Sequence, residues 1–408
     1  MDTSYGFDGS STPAYHILYH TKQDQFSNEL RYSDRFFDTV DFVTGLYYFT
    51  QDIFYINRDD LIYVNKIRDY GGTQKQESYG VFANADVDIL EKLRLGFGAR
   101  YSIDKKRVDV VTGRATPANQ LCNFNTLSCQ SAFRDHKTFN SFTPRAAISY
   151  FPASNSQLYF SYSKGFRAGG YNLRHSTPPA LPGPFGDEQA DALELGAKAS
   201  LFNRRLKLNV AAFSTRIKDV QRQALEVTGT GTQLRLLNAG NVRIKGFEGD
   251  LRLKVADGTV LTGSLGYTDG KYTKVVADLT GDGIVDAKDL ALRLPRLAKW
   301  TYGVGIISDF QLADIGNLTF QAQFDHRSSS AFTDSNGAGT DLPAFDNLFV
   351  NLSVSPTSMA GLKLSLYGKN LLDDQNTGLT ANISAITGSI AKVPTAGRVF
   401  GAEASFSF

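Results

Sequence analysis

One twelve-residue segment of this 408-residue chain places oxygen-bearing groups at the spacing of a cation site. In DLTGDGIVDAKD, residues 278–289, donors occupy positions 1, 3, 5, 7, 9 and 12, and Gly283 occupies position 6. A hard cation such as Ca²⁺ takes about six to eight oxygens in a loop of this length, and the glycine permits the sharp turn. The donors are the side chains of Asp278, Thr280, Asp282, Asp286 and Asp289, together with the main-chain carbonyl of Ile284.

The spacing resembles the calcium loops of EF-hand and dockerin modules. That resemblance implies a structural Ca²⁺, and we expect no catalytic cofactor. Position 12 departs from the EF-hand pattern, because Asp289 stands where glutamate usually supplies two oxygens. The alternative is an acidic, solvated loop without an ion, in which Lys288 supplies part of the compensating charge.

A second group of polar side chains lies at the end of a predicted strand over residues 156–170. It consists of Arg167, Tyr171, Asn172 and Arg174 in the segment FSYSKGFRAGGYNLR. Guanidinium groups bind anionic oxygens in a bidentate manner, so the four residues could line a vestibule for an anionic small molecule. Arginines in this position could equally face lipid phosphates or neighbouring carboxylates.

The two cysteines, Cys122 and Cys129, are separated by six residues in a polar segment. Their proximity in an otherwise cysteine-free chain predicts a local disulfide and an oxidising compartment. Two free thiols are the alternative.

Other chemistry has little support in the sequence. The five histidines are scattered, and His16 and His20 lie in sequence that we interpret as a loop. Neither a phosphate-binding loop nor a GxSxG nucleophile motif is present, so nothing indicates an enzyme. The net charge of +2, without a basic block, argues against nucleic acid as a partner. No apolar run approaches the roughly 18 residues of a membrane helix.

The elements that must position these residues are strands. Phe and Tyr total 29 and 19 residues beside 37 glycines, a composition typical of aromatic-rich strands joined by tight turns. Apolar and polar residues alternate along each predicted strand, as where Leu362, Leu364 and Leu366 alternate with Lys363 and Ser365. Fifteen strands are predicted, near 25–36, 40–55, 77–91, 93–106, 138–151, 156–170, 189–203, 205–222, 242–256, 258–274, 298–312, 317–330, 344–357, 361–373 and 396–408.

The lengths of the connections distinguish a membrane barrel from a soluble sheet with one wet face. Links of two to five residues alternate with long ones at 107–137, 171–188, 223–241, 275–297, 331–343 and 374–395. Short turns at one end and long loops at the other are typical of outer-membrane barrels. The final segment, GRVFGAEASFSF, also suits a closing barrel strand with one lipid-facing side. We therefore predict an all-β, transmembrane antiparallel barrel as a single domain over 1–408, with the 278–289 loop in an extracellular connection.

Several motifs, in this order, resemble the barrel of a TonB-dependent outer-membrane receptor. They include FSYSKGFRAGGYN, NAGNVRIKGFEGDLRL, PRLAKWTYGVG, LYGKNLLDD and the C-terminal GRVFGAEASFSF. The resemblance implies a 22-stranded barrel in the outer membrane of a Gram-negative bacterium, with lipid and lipopolysaccharide around it. It also implies an extracellular small-molecule ligand, most often a ferric siderophore, and energy delivered by the TonB complex.

The sequence departs from that family pattern in extent. About 15 to 16 strands are predicted, and neither a plug nor a TonB-contacting box is recognisable, so we expect the chain to be the C-terminal part of a receptor. The opening MDTSYGFDGSSTPAYH reads as a polar loop without an export signal, which also favours a missing N-terminus. A passive porin is the alternative function, and cobalamin, heme, oligosaccharides or other organic nutrients are alternative cargoes.

Overall fold

The computed structural model describes residues 2–6, 15–62, 66–112, 131–174, 182–228, 231–313, 315–382 and 390–407. These residues form a 16-stranded antiparallel sheet, a separate two-stranded hairpin and one short helix. The strands are β1 (Asp2–Gly6), β2 (Tyr15–Phe36), β3 (Val40–Leu61), β4 (Lys66–Leu90), β5 (Leu93–Thr112), β6 (Ser131–Ala153), β7 (Ser156–Arg167), β8 (Glu188–Leu201), β9 (Leu206–Thr228), β10 (Gly231–Ala256), β11 (Thr259–Val275), β12 (Trp300–Leu312), β13 (Gly316–Arg327), β14 (Phe345–Pro356), β15 (Leu362–Lys369), β16 (Thr377–Asn382), β17 (Ile390–Pro394) and β18 (Val399–Phe406).

The sheet is a meander in which each strand pairs with its neighbour in sequence. The exception is β15, which pairs with β18, because the β16–β17 hairpin lies between them in the chain. The helix α1 (Ala287–Leu290) closes the 278–289 loop. Among the described residues, no helix is both long and apolar enough to cross a membrane. The predicted all-β meander is confirmed.

The two ends of the sheet differ as predicted. Turns of two to five residues join strands at one end, as at 257–258, whereas connections such as 168–187 and 276–299 lie at the other, which we call the long-connection end. Several strands of 22 to 26 residues are much longer than the roughly 10 needed to cross a bilayer. Their outer portions therefore extend beyond the membrane.

Some predicted boundaries are wrong for this reason. The described part of the predicted connection 223–241, which leaves out 229–230, is strand, because β9 and β10 keep their pairing from Leu253 and Leu206 out to Gly231 and Thr228. Strand pairing likewise enters the predicted loop 107–137 from both sides. His16 and His20 lie in β2, not in a loop, and β1 was not predicted at all.

The register separates an apolar face from a polar one. Leu364 lies opposite Val354 and Ala404, whereas its neighbour Lys363 lies opposite Ser405 on the other face. Large apolar side chains on the first face are openly exposed, including Leu366 at 63% and Leu195 at 61%. Such exposure is costly in water and favourable in hydrocarbon, so this is the lipid-facing side. In the same register the outward side chains include Leu364, Phe320, Leu251 and Phe406, and the inward ones include Lys363, Gln321, Asp250 and Glu403.

The buried apolar residues lie at the long-connection end, where the extended strands and loops pack together. One cluster joins Val220 and Val242 to Tyr272, Leu279 and Leu294, and so anchors the 276–299 connection to β9, β10 and β11. A smaller cluster joins Val108 and Val110 to Tyr171. These two clusters hold in place the segments that could bind a ligand.

Candidate ligand vestibule

The connection 168–187 folds back on itself and is fixed to the β9–β10 hairpin by Asn172. The Asn172 main-chain N–H donates to Pro182 O at 2.7 Å, and its amide nitrogen donates to Leu236 O at 3.0 Å. Its amide oxygen accepts from the Leu236 N–H at 2.9 Å. The amide of this predicted site residue therefore bonds mainly to backbone, which makes Asn172 a positioning residue for the loop.

Tyr171 is likewise used to hold the loop against the wall. It is only 7% exposed, packs against Val108 and Val110, and its hydroxyl donates to Asp135 Oδ2 at 3.1 Å. Burial raises the pKa of the Tyr171 hydroxyl, and the bond to the Asp135 carboxylate raises it further. The phenol therefore stays neutral at physiological pH.

Gly169 allows this close packing. A Cβ on Gly169 would lie 2.2 Å from Phe185 O and 2.5 Å from a ring carbon of Phe139. Only glycine lets the two sides of the loop approach this closely without a backbone shift.

Arg167 remains available to a ligand. It ends β7, is exposed, and lies on the same face of the strand as Tyr159, which is the polar inner face. Lys106, a residue that the sequence did not single out, also projects from this face and donates from Nζ to Gly169 O at 2.7 Å. Burial lowers the pKa of Lys106, Asp104 opposes that shift, and the nearby Arg167 charge reinforces it. The two cations form a basic pair at the base of the loop.

Arg174 lies on the same connection and is exposed, immediately before a part of the chain outside the described residues. The structure therefore brings all four predicted residues to one end of the sheet. Two of them, Tyr171 and Asn172, hold the framework, whereas Arg167 and Arg174 present cations. Contact with a ligand stays a prediction for each of them.

Gln221 connects this loop to β9. It is 3% exposed, and its amide donates to Ala168 O at 3.1 Å and to Gly186 O at 3.0 Å. Its main-chain N–H donates to Glu188 Oε2 at 2.7 Å. Nothing local in the sequence indicates this role, because the partners lie more than 30 residues away.

A third connection, 328–344, docks on the same hairpin through an ion pair. Arg222 Nε lies 3.3 Å from Asp334 Oδ1, and both side chains are mostly buried. Asp334 also accepts from the Gln223 N–H at 3.2 Å. Burial raises the pKa of Asp334, although the Arg222 charge opposes that shift.

An open cavity of about 350 Å³ lies between the connection 168–187 and β10. Asn172, the segment Gly183–Gly186 and the segment Arg235–Asn238 line it. It is large enough for part of a small-molecule ligand, and the connection that lines it begins directly after Arg167 and carries Arg174.

The 278–289 loop connects β11 to β12 at the same end. The Asp278 carboxylate accepts from the Gly281 N–H at 2.6 Å and from the Gly283 N–H at 2.7 Å. Gly283 has a φ of +88°, which confirms that the sixth position needs glycine for the turn. Asp289 is fully buried and accepts from the main-chain N–H groups of Leu279, Thr280 and Asp286.

The charges in this loop are already partly balanced. Burial alone would raise the pKa of Asp289, but its three main-chain donors outweigh burial and hold the pKa below the ordinary value. Lys288 Nζ lies 2.7 Å from Asp282 Oδ2, and this bond lowers the pKa of Asp282. Across the described residues, no three acidic, histidine or cysteine side chains converge as a ready-made metal site. Cys122 and Cys129 lie outside the described residues.

A lipid-facing meander with tight turns at one end and long, packed connections at the other defines an outer-membrane β-barrel. The family model "TonB dependent receptor-like, beta-barrel" matches residues 1–371, so the chain belongs to the family of TonB-dependent receptor barrels of the Gram-negative outer membrane.

Two known proteins are similar to the chain in sequence or in fold. The chain is 28% identical over 211 residues to the ferric-pyoverdine M114 receptor PbuA of Pseudomonas sp. (strain M114), which covers 51% of this chain and 23% of that protein. It is also similar in fold to the ferric yersiniabactin uptake receptor FyuA from Yersinia pestis, with a TM-score of 0.80, 18% identity, and coverage of 97% of this chain and 56% of that one.

A third similar structure, the copper transporter OprC, has a TM-score of 0.69 and 16% identity and covers 99% of this chain and 59% of that one. Iron- and copper-related proteins thus share the fold, which by itself does not select a cargo. The chain spans about a quarter to three fifths of the length of the relatives it matches.

Proposed function

We propose that this chain is part of a receptor that imports a ferric siderophore across the outer membrane with energy from the TonB complex. The observation that carries the proposal is the vestibule at the long-connection end. Lys106 and Arg167 lie close together on the inner face, Lys106 bonds to the connection 168–187 at Gly169 O, and the same connection lines a cavity of about 350 Å³. Most ferric siderophores offer anionic oxygens on a bulky ligand, which cationic side chains bind well. The similarity to PbuA supports the same cargo class.

The packing of the loops supports binding rather than free diffusion. Gln221, Asn172 and the Arg222–Asp334 pair each join connections that are far apart in sequence, so the outer segments form one linked structure. A specific receptor needs such preorganised loops, whereas a passive channel needs only an open lumen. In this proposal a plug domain outside this sequence closes the lumen and contacts TonB.

Binding by the purified receptor tests the proposal. Ferric siderophores, ferric citrate, heme and cobalamin would be titrated by calorimetry against the wild type and against a Lys106→Gln, Arg167→Gln variant. We expect at least one ferric siderophore to bind, and the variant to bind it about tenfold more weakly, the effect of losing roughly 1.4 kcal/mol of charge-assisted hydrogen bonding.

The matched control is Lys207→Gln, which removes a cation from the inner face of β9 near the opposite end of the sheet. It should bind the siderophore as the wild type does. Exclusive binding of heme, cobalamin or another nutrient would contradict the cargo, and unchanged affinity in the double variant would contradict the site.

We further propose that the 278–289 loop binds a structural Ca²⁺. Two observations favour it. Gly283 makes a left-handed turn, and Thr280 bonds to two carboxylates, its hydroxyl donating to Asp278 and its main-chain N–H to Asp289. Lys288 must then leave Asp282 when the ion binds, so Lys288→Gln should tighten binding.

A further inference from the structure

The ends of β9 and β10 outside the membrane form a two-stranded hairpin without a supporting strand on either side. β8 pairs with β9 only as far as Lys218, and β11 pairs with β10 only as far as Gly240. Beyond those residues β9 and β10 pair only with each other in the described part of the chain. We call residues 221–228 and 231–238 the outer hairpin. Because a two-stranded hairpin is at best marginally stable in water, its order depends on the connections that pack on it.

Two neighbouring residues of the outer hairpin hold two different connections. Successive side chains of a strand point to opposite faces, and the register has no bulge between Gln221 and Arg222. Gln221 bonds to the connection 168–187, whereas Arg222 bonds to the connection 328–344. The two connections therefore use opposite faces of the same hairpin.

The contacts with 168–187 are hydrogen bonds of two amide side chains. Gln221 is 3% exposed and donates to Ala168 O at 3.1 Å and to Gly186 O at 3.0 Å. Asn238, which lies directly opposite Gln221, accepts from the Gly186 N–H at 2.6 Å and donates to Gly186 O at 3.1 Å. These bonds join both ends of the connection to the base of the outer hairpin.

The contacts with 328–344 centre on one ion pair. Arg222 Nε lies 3.3 Å from Asp334 Oδ1 and donates to the Tyr272 hydroxyl at 3.3 Å. The Gln223 N–H donates to Asp334 Oδ2 at 3.2 Å. The Arg222 and Asp334 side chains are only 22% and 17% exposed, so water can replace these contacts only when the connection leaves the hairpin.

We propose that the outer hairpin couples the two connections, so that docking of 168–187 strengthens docking of 328–344 and the reverse. The first connection to dock must order the hairpin, and the second then meets a hairpin that is already ordered. Docking on an ordered element costs less conformational entropy, which gives positive cooperativity. By linkage, the effect on the free energy of docking is equal in both directions.

The coupling gives a role to 328–344, which carries none of the candidate ligand residues. This connection orders the hairpin to which Asn172 bonds, and so helps to position the vestibule. The coupling is a property of the protein without its cargo, and it does not rest on the proposed function.

Hydrogen exchange of the detergent-purified protein without cargo tests the coupling. Gln221→Ala removes the side chain that holds 168–187, and Arg222→Gln removes the charge that holds 328–344. Each variant should accelerate exchange in the connection that it contacts. It should also accelerate exchange in the other connection, by about fivefold or more, the lower end of the usual range for coupled sites.

Gly169→Ala gives an independent perturbation, because it leaves the sequence of the hairpin unchanged. A Cβ on Gly169 would lie 2.2 Å from Phe185 O, so alanine displaces one side of the connection 168–187. We expect faster exchange in 328–344 in this variant too.

The matched controls are Gln223→Ala and Lys218→Gln, at two exposed residues of β9. Gln223 bonds to Asp334 through its main-chain N–H, which alanine retains, and Lys218 lies before the outer hairpin begins. Both variants should exchange as the wild type does in the two connections.

The coupling would be overturned if each of the three variants accelerated exchange only in the connection that it contacts. It would also be overturned if exchange rose equally in β12 and β13, because that result would indicate a general loosening of the sheet.

Discussion

An arginine on the lipid-facing side of β15 should destabilise the protein by an amount that grows with its depth in the membrane. Leu362, Leu364 and Leu366 share that face, and the turn at 357–361 marks its inner end. With a rise of about 3.3 Å per residue and a strand tilt of about 40°, each residue advances roughly 2.5 Å along the membrane normal. The three leucines then lie roughly 3, 8 and 13 Å into an apolar band about 25 Å tall.

Leu366 is therefore near the midplane, where arginine costs about 2–4 kcal/mol, and Leu362 is near the interface, where it costs about 0–1 kcal/mol. We expect Leu364→Arg to fall between them. Lys363→Arg and Ser365→Arg are the matched controls, because both residues face the polar side, and each should cost less than about 1 kcal/mol.

Reversible guanidinium unfolding of the receptor from lipid vesicles would measure these free energies. The assignment of this face to lipid would be refuted if arginine lowered the free energy of unfolding equally at Leu366 and Ser365. It would also be refuted if the loss did not rise from Leu362 to Leu366.

Three further predictions concern the outer connections. Because burial raises the pKa of Asp334, docking of 328–344 should strengthen as the pH falls through this raised pKa towards the ordinary value of a carboxyl group. Asp334→Asn should therefore dock at least as well as the wild type, and Arg222→Gln less well, measured as hydrogen-exchange protection of 328–344. Calorimetry should show one saturable calcium site that Asp282→Ala abolishes, and an absence of binding at millimolar Ca²⁺ would end that proposal. Unreduced native protein should resist alkylation at Cys122 and Cys129, since a bridge over this short loop contributes about 2–3 kcal/mol, and labelling of both thiols would refute it.

The alternation of apolar and polar residues was sufficient to predict the sheet. In β15 the leucines at 362, 364 and 366 face lipid and Lys363 and Ser365 do not, because the two-residue period of a strand fixes the face once one residue is placed. The alternation is also unusually regular, because the barrel wall is a single sheet without a protein core on its outer side. An apolar residue such as Leu366 can avoid water there only by facing lipid.

Strand ends were less predictable where strands leave the membrane. Beyond the bilayer both faces of β9 and β10 meet water or loops, so the alternation fades although the pairing continues from Gly240 to Gly231. The segment 223–241 consequently reads as a loop. β1 was missed for a related reason, since DTSYG carries too few apolar residues to show a period.

The vestibule was predictable only in part. The sequence predicted the position of Arg167 and Asn172 at the outer end of a strand, and their contact with a ligand stays a prediction. It did not predict the roles of Lys106, Gln221 and the Arg222–Asp334 pair. Arg222 and Asp334 are more than 100 residues apart and meet only because two loops fold over the same hairpin. The spacing of residues in the sequence is enough to predict a self-contained loop such as 278–289. Contacts between two connections can be predicted only when the three-dimensional fold is known.

Uptake of iron tests the central claim most directly. The complete receptor would be expressed in a Gram-negative strain that lacks its own siderophore receptors, and accumulation of ⁵⁵Fe from the ferric siderophore bound in vitro would be followed with and without TonB. We predict saturable uptake that requires TonB and falls in the Lys106→Gln, Arg167→Gln variant. Uptake that continues without TonB and does not saturate would identify a passive channel and contradict the account.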